Sequence, residues 1–288
     1  MTTLTTVAPI THGNNTGFRA WGSEFSSALA TVGLVQTSDT GQANWASATY
    51  SATTNTAIVY EIWRFDDTQQ ANLPLFLKIE YGTGSTAPTP CLWLTIGTGS
   101  NGSGTITGTL FARTQIIPNT NAHTISGAPT VSRWCCVDGM FWVDFKSRTD
   151  SVFYPITHFS IQRTCDNTGT ATAEGIVLIM PVSGNWIIRS INAAGVSYTP
   201  YSPLVPGTGI TTTVVGGAIQ LFRGQSITPA IKPLFGILAA LAAEIVDYMT
   251  VTVLNVGTTP RTYMAVVTGS SAGGGKISSG CEILYIWE

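Results

Sequence analysis

Two glycine motifs and a scatter of carboxylates are the residues whose types and spacing first suggest chemistry. Gly269-Ser-Ser-Ala-Gly273 fits the G-x-S-x-G pattern that presents a serine nucleophile on a sharp turn. Such an elbow needs a strand before it, a helix after it and a histidine later in the chain. All three histidines, His12, His123 and His158, precede Ser271, and a glycine-rich stretch follows it. The match is therefore read as compositional. Gly97-x-Gly99-x-x-Gly102 has the spacing of a dinucleotide fingerprint. The segment after it, GTITGTLFAR, is strand-like, so no helix N-terminus stands ready to hold a pyrophosphate.

Acid–base chemistry has a similarly thin basis. Asp66 and Asp67 are adjacent at the end of an apolar run, and as turn neighbours they are expected to cap or be solvated. Asp144, Asp150, Glu174 and Glu244 could meet in space, but a glycosidase needs two carboxyl groups about 5 to 9.5 Å apart in a cleft, which spacing alone does not supply. The aromatic residues Trp63, Tyr81, Trp93, Trp142 and Trp186 could form a platform for sugar rings. They alternate within strand-like runs, which favours packing between sheets. The five cysteines, Cys91, Cys135, Cys136, Cys165 and Cys281, lack the Cys-x-x-Cys spacing of a metal site, and vicinal Cys135 and Cys136 would point to opposite faces of a strand. They read as reduced, mostly buried thiols. No catalytic, cofactor-binding or metal-ligating residue is assigned, no cofactor is expected, and the chain is expected not to be an enzyme. The sequons at Asn14 and Asn101 have no consequence without a secretory route.

The elements that would position these residues follow from periodicity. Phe18–Leu34 places Phe18, Trp21, Phe25, Ala28, Leu29 and Val32 at spacings of three and four, one apolar helical stripe. Asn15 or Thr16 can cap its start and Gly33 can end it. Strand-like runs follow at Ala57–Phe65, Leu75–Tyr81, Cys91–Ile96 and Thr109–Arg113. Arg133–Phe145 carries Asp138–Gly139 between two apolar runs, a strong hairpin signal. Ile156–Arg163, Gly175–Met180 and Trp186–Ile191 continue the series. Pro200, Pro203 and Pro206 suggest a linker over Tyr198–Gly209. Beyond it, Ile219–Arg223, Tyr248–Asn255, Arg261–Val267 and Cys281–Trp287 are further strands. The expected fold is mainly β: an antiparallel β-sandwich or barrel-like domain with one N-terminal amphipathic helix, plus a smaller C-terminal β-rich domain. The expected units are residues 1–46 (arm and helix packing on the sheet), 47–197 (sandwich-like domain), 198–209 (linker) and 210–288 (smaller domain).

Composition narrows the function class. Only 10% of the 288 residues are charged, against about 25% in an average globular protein, and the net charge is -2. That excludes a charge-driven nucleic-acid binder. The apolar stretch Pro233–Val246 would span about 21 Å as a helix, short of a bilayer core of roughly 30 Å, so no membrane insertion is expected. The start of the chain lacks the basic patch and apolar core of a secretory signal. Thr, Ser, Asn and Gly surfaces of this kind are suited to burial against copies of the same chain, where long charged side chains would cost desolvation and rotamer entropy. Met1–Thr11, uncharged and Thr-rich, reads as an extended arm able to add a strand to a neighbour.

The segments FRAWGSEFSSALATVGLVQTSDTGQANW (Phe18–Trp45), YEIWRFDDTQQANLPLFLKIEYGTG (Tyr60–Gly84) and LWLTIGTGSNGSG (Leu92–Gly104) resemble virion structural proteins of tailed bacteriophages, as found in the tail region. The likeness covers roughly the first 110 residues and carries no motif of functional residues. It implies assembly in the bacterial host cytoplasm and does not itself fix a place in the particle. Taken with the composition, the expectation is a subunit present in several copies, in a tail, baseplate or fibre-associated position, with copies of itself and other virion proteins as partners. Two alternatives remain open. One is a capsid decoration protein; the other is a tail-tip module binding a host surface glycan or receptor. A hydrolase acting on the host envelope ranks behind both.

Overall fold

The computed structural model describes residues 2–9, 13–84, 90–116, 129–137, 139–149, 152–165, 171–180, 187–190 and 198–201. Beyond these it describes the strand segments 215–218, 220–223, 232–233, 237–240, 245–246, 250–254, 260–266, 276–277 and 281–286. The fold is mainly β, with two antiparallel sheets and one helix forming a shared core.

Helix α1 (Asn15–Thr31) starts three residues before Phe18, the first residue of the apolar stripe. Its cap is Asn14, one residue before the expected Asn15 or Thr16, and the Asn14 side chain accepts a hydrogen bond from the Gly17 amide at 2.9 Å. Gly33 ends it as expected. At φ +101° it lets its own amide donate to the Ala30 carbonyl and the Leu34 amide donate to the Leu29 carbonyl, both at 3.1 Å. The whole expected stripe, Phe18, Trp21, Phe25, Ala28, Leu29 and Val32, is buried.

The five-stranded sheet is a meander of β2 (Val35–Gln36), β3 (Thr56–Arg64), β4 (Phe76–Thr83), β5 (Pro90–Ser100) and β6 (Ile106–Gln115), neighbours in sequence and in space. Strand β2 is only two residues long, but the segment after it continues to cover the edge of β3. The Thr37 amide donates to the Ile62 carbonyl (2.9 Å), the Ile62 amide donates to Gln42 Oε1 (2.7 Å), and the Ala43 amide donates to the Tyr60 carbonyl (2.8 Å).

The second sheet has β7 (Pro129–Val137), β8 (Met140–Thr149), β9 (Val152–Cys165), β10 (Ala171–Met180) and β11 (Ile187–Ser190) in sequence order. The pairing of Val137 with Met140 closes the expected hairpin over two residues, with Gly139 at φ +82°. The N-terminal segment differs from expectation. It is extended, but as β1 (Thr2–Pro9) it pairs antiparallel with β7 of its own chain, from Thr2 against Cys136 to Pro9 against Pro129. Leu4 packs against the core. The arm is thus a sheet element, because eight extended residues satisfy their backbone groups best on an open edge.

Both sheets and α1 meet in one hydrophobic cluster. Phe25 is its hinge point: its ring lies edge-on to Tyr81 of the five-stranded sheet (5.6 Å) and edge-on to Trp134 of the other (4.6 Å). At the centre of the second sheet the opposite face is buried too. Cys135, Trp142 and Ser160 lie in register across β7, β8 and β9, and each is 0% exposed. Downstream, β12 (Tyr198–Tyr201), β13 (Val215–Ala218), β14 (Gln220–Arg223), β15 (Lys232–Pro233), β16 (Ile237–Ala240), β17 (Ile245–Val246), β18 (Thr250–Leu254), β19 (Pro260–Val266), β20 (Lys276–Ile277) and β21 (Cys281–Ile286) complete the chain. Five of them form a sheet in the order β13-β16-β21-β19-β18, while β12 pairs with β14 and β15 joins β9. The apolar stretch from Pro233 thus contributes strand β16. No helix among the described residues is long and apolar enough to cross a membrane.

Candidate functional site

Three polar constellations are built into the described residues. The first surrounds Glu61, which the alternation of β3 carries inward among apolar neighbours and which is 1% exposed. Its Oε1 accepts from Trp45 Nε1 at 2.8 Å; its Oε2 accepts from Tyr81 Oη at 2.7 Å and from Trp63 Nε1 at 3.2 Å. All three donors are neutral. Burial, then the charge and hydrogen bond of Glu61, hold the Tyr81 phenol well above its usual range. A carboxylate so enclosed is a hub for three aromatic side chains and offers no surface to a substrate.

The second joins the two sheets. Arg163, at the end of β9, meets the loop after β3, 96 residues away in sequence. Its Nε donates to Asp67 Oδ2 (2.6 Å) and its Nη2 to Asp67 Oδ1 (2.9 Å), a bidentate pair whose side chains are 2% and 4% exposed. Nη1 donates to the Leu73 carbonyl, and the guanidinium lies over the Phe65 ring. This corrects the expectation for the paired aspartates. Asp66 does face solvent, in an ion pair with Arg64 at 3.1 Å, but Asp67 is buried by a partner that only the tertiary fold delivers.

The third fastens the segment after β2 to the β5–β6 turn. Asp39 Oδ2 accepts from Thr37 Oγ1 (2.6 Å) and Ser100 Oγ (2.7 Å), and Oδ1 from the Gly104 amide (3.2 Å). Burial alone would raise its pKa, but these bonds and the Gly102 backbone outweigh it and hold the carboxyl below its ordinary value. Tyr60 Oη donates to the Thr40 carbonyl alongside (2.6 Å). At Gly104, with φ +90°, a Cβ would lie 2.2 Å from that hydroxyl oxygen, so the turn needs glycine there.

The residues singled out from sequence are not drawn together. Gly97 and Gly99 lie within β5, Gly102 turns at φ +78°, and strand β6 follows, so the fingerprint spacing belongs to a hairpin. Gly269–Gly273, Asp150, Glu244, His12, His123 and Trp186 lie outside the described residues. Asp144 is on β8, opposite Arg133 and His158, and Glu174 is on β10, with β9 between the two strands. Four of the rings offered as a sugar platform are buried: Trp63, Tyr81, Trp93 and Trp142 are 2%, 0%, 4% and 0% exposed, the first two in the shared core. On the outer face of the five-stranded sheet, Arg113 covers Trp93 and pairs with Glu80 at 2.7 Å, while Lys78 sits over Tyr60. Among the described residues no group of three or more His, Cys, Asp or Glu could hold a metal ion. Burial pushes the Cys91 and Cys135 thiols up to about 12.

Sequence reasoning missed Glu61, Asp39 and Arg163. A glutamate inside the apolar run AIVYEIWRF was the visible signal for the first; nothing local marks the other two. No protein-family model, no curated protein and no solved structure matches the chain.

Proposed function

We propose that the chain is a structural subunit of a tailed bacteriophage virion, present in several copies in a tail, baseplate or fibre-associated position. The observation that carries this reading concerns the three segments that resemble such proteins. They cover α1 from Phe18 onward, β2, β4 and most of β3 and β5, whose buried side chains mostly share one hydrophobic cluster rather than lying in scattered stretches. Charge supports it as well. The chain has 13 basic and 15 acidic residues, and several of them (Glu61, Asp39, and Asp67 with Arg163) are used up inside the fold. The surface is left poor in the long charged side chains that resist burial between subunits. In this reading the two sheets form a sandwich with α1 filling its core, and the chain folds in the host cytoplasm, where Cys91 and Cys135 remain thiols.

The burial of Trp63, Tyr81, Trp93 and Trp142 weighs against a glycan-stacking tail-tip module. The test is antibody labelling of purified phage particles in negative stain, with mass spectrometry of the same particles. Labelling at the tail supports the proposal, labelling over the head surface makes the chain a capsid decoration protein, and absence from particles refutes both.

A further inference from the structure

We infer that the outer edge of β1 pairs antiparallel with β1 of a second copy of this chain. The inference names the surface by which the proposed subunit meets its copies, and it rests on that reading for its biological setting. Its grounds are in the sheet itself.

Strand β1 ends the seven-stranded sheet, and among the described residues no strand lies on its other side. In an antiparallel ladder every second residue turns its N–H and C=O away from the partner. Half of β1 therefore presents a row of donors and acceptors outward. Protein sheets normally blunt such a row with charges, bulges, proline or brevity. The other three edges of the two core sheets do so. β11 has four residues and carries Arg189; β2 has two residues and is continued by Gln42 and Ala43; β6 carries Arg113 and two register shifts against β5. β1 has none of these devices. Its eight residues, TTLTTVAP, are uncharged, their register against β7 is unbroken, and proline appears only at the last position.

A second copy is the partner this edge suits. A two-fold axis through Thr5 sets Thr2 against Ala8, Thr3 against Val7, Leu4 against Thr6, and Thr5 against itself. Every outward-facing residue then meets an outward-facing residue of the other copy, whichever set points out. Every cross-strand neighbour is neutral and, Leu4 apart, small or β-branched, so no like charges oppose. The net charge of -2 leaves little repulsion between two whole copies.

The experiment uses the full chain. Sedimentation across a concentration series, at low and high salt, should show a self-association that depends little on salt. Amide hydrogen exchange on the same samples should show alternate residues of Thr2–Ala8 protected at every dilution, because they face β7. The intervening ones should gain protection, ten-fold or more, only where the chain associates. Thr5→Pro and Thr6→Pro separate the two sets, since one residue faces β7 and the other faces out. The outward variant should keep the parent melting temperature and associate at least ten-fold more weakly, and the inward variant should melt earlier.

A chain that stays monomeric at its highest soluble concentration overturns the inference, as does association untouched by either proline. So does protection of both sets at every dilution, which would place another part of the same chain on the edge. These results stand apart from the virion test. A monomeric chain found in particles sinks the edge and spares the subunit reading, and a self-pairing chain absent from particles does the reverse.

Discussion

Glu61→Gln is the change that most directly probes how the core is specified. A carboxylate only accepts, and here it accepts three bonds, one on Oε1 and two on Oε2. Glutamine keeps the shape but turns one of those oxygens into an NH2. With the NH2 at the Oε1 position, it faces the Trp45 indole N–H. At the Oε2 position it faces the Trp63 indole N–H, which cannot turn to accept, although the Tyr81 hydroxyl can. Either way one indole donor loses its acceptor, at about 1–3 kcal/mol for a buried group. Removing a buried charge relieves some desolvation, so the lower half of that range is expected from urea unfolding followed by circular dichroism. The sharper assay is a double-mutant cycle with Trp45→Phe. Without the Trp45 N–H, the NH2 can occupy the Oε1 position unopposed, and Glu61→Gln should become nearly neutral. The expected coupling is about 1–2 kcal/mol, well above the roughly 0.5 kcal/mol scatter of independent sites. A coupling within that scatter would refute the geometry, because the cost of the amide would then have nothing to do with Trp45.

Arg163→Met should cost about 3–5 kcal/mol by leaving Asp67 buried without its cation, and adding Asp67→Leu should restore a large part of it. A single variant as stable as the parent would mean the pair is solvated. Gly22→Ala sets a helix-propensity gain of about 1 kcal/mol against a Cβ placed 2.0 Å from the Trp45 ring, and the clash should win by about 1–3 kcal/mol in thermal melts. A stabilised variant would show that Trp45 does not lie on the helix. Phe25→Ala, which removes the ring touching both sheets, should cost about 3–5 kcal/mol, and a change under about 0.5 kcal/mol would place the stripe off the core. At alkaline pH, Cys91 and Cys135 have folded pKa values raised from 9.0 to about 12. Their contribution is therefore intact below pH 9.0 and lost as pH rises towards 12, at about 1.4 kcal/mol per pH unit for each. Urea midpoints should fall across that window, and less steeply in Cys91→Ala; equal slopes would refute the burial.

Much of this fold is legible one segment at a time. The apolar spacing from Phe18 to Val32 specifies α1 and its buried face, since side chains three and four apart share one side of a helix whatever surrounds it. Gly33 and Asp138–Gly139 mark a helix end and a hairpin because few residues adopt the backbone those turns require. The rejection of a nucleotide loop at Gly97–Gly102 was likewise available, from the strand that follows it.

What the chain could not disclose locally is which edges and which charges meet. Asp67 looks like a turn residue until β9 brings Arg163 to it from 96 positions away. Thr2–Pro9 looks like a loose arm, since it lacks the apolar content to pack alone, until β7 offers it an edge. Glu61 betrays itself as an oddity within β3, yet its three aromatic donors come from a loop and two different strands. Periodicity records which face of an element is apolar, a property of neighbouring residues. Pairing between distant segments depends on register and on the total of buried groups satisfied, and those quantities exist only once the sheets have closed around the helix.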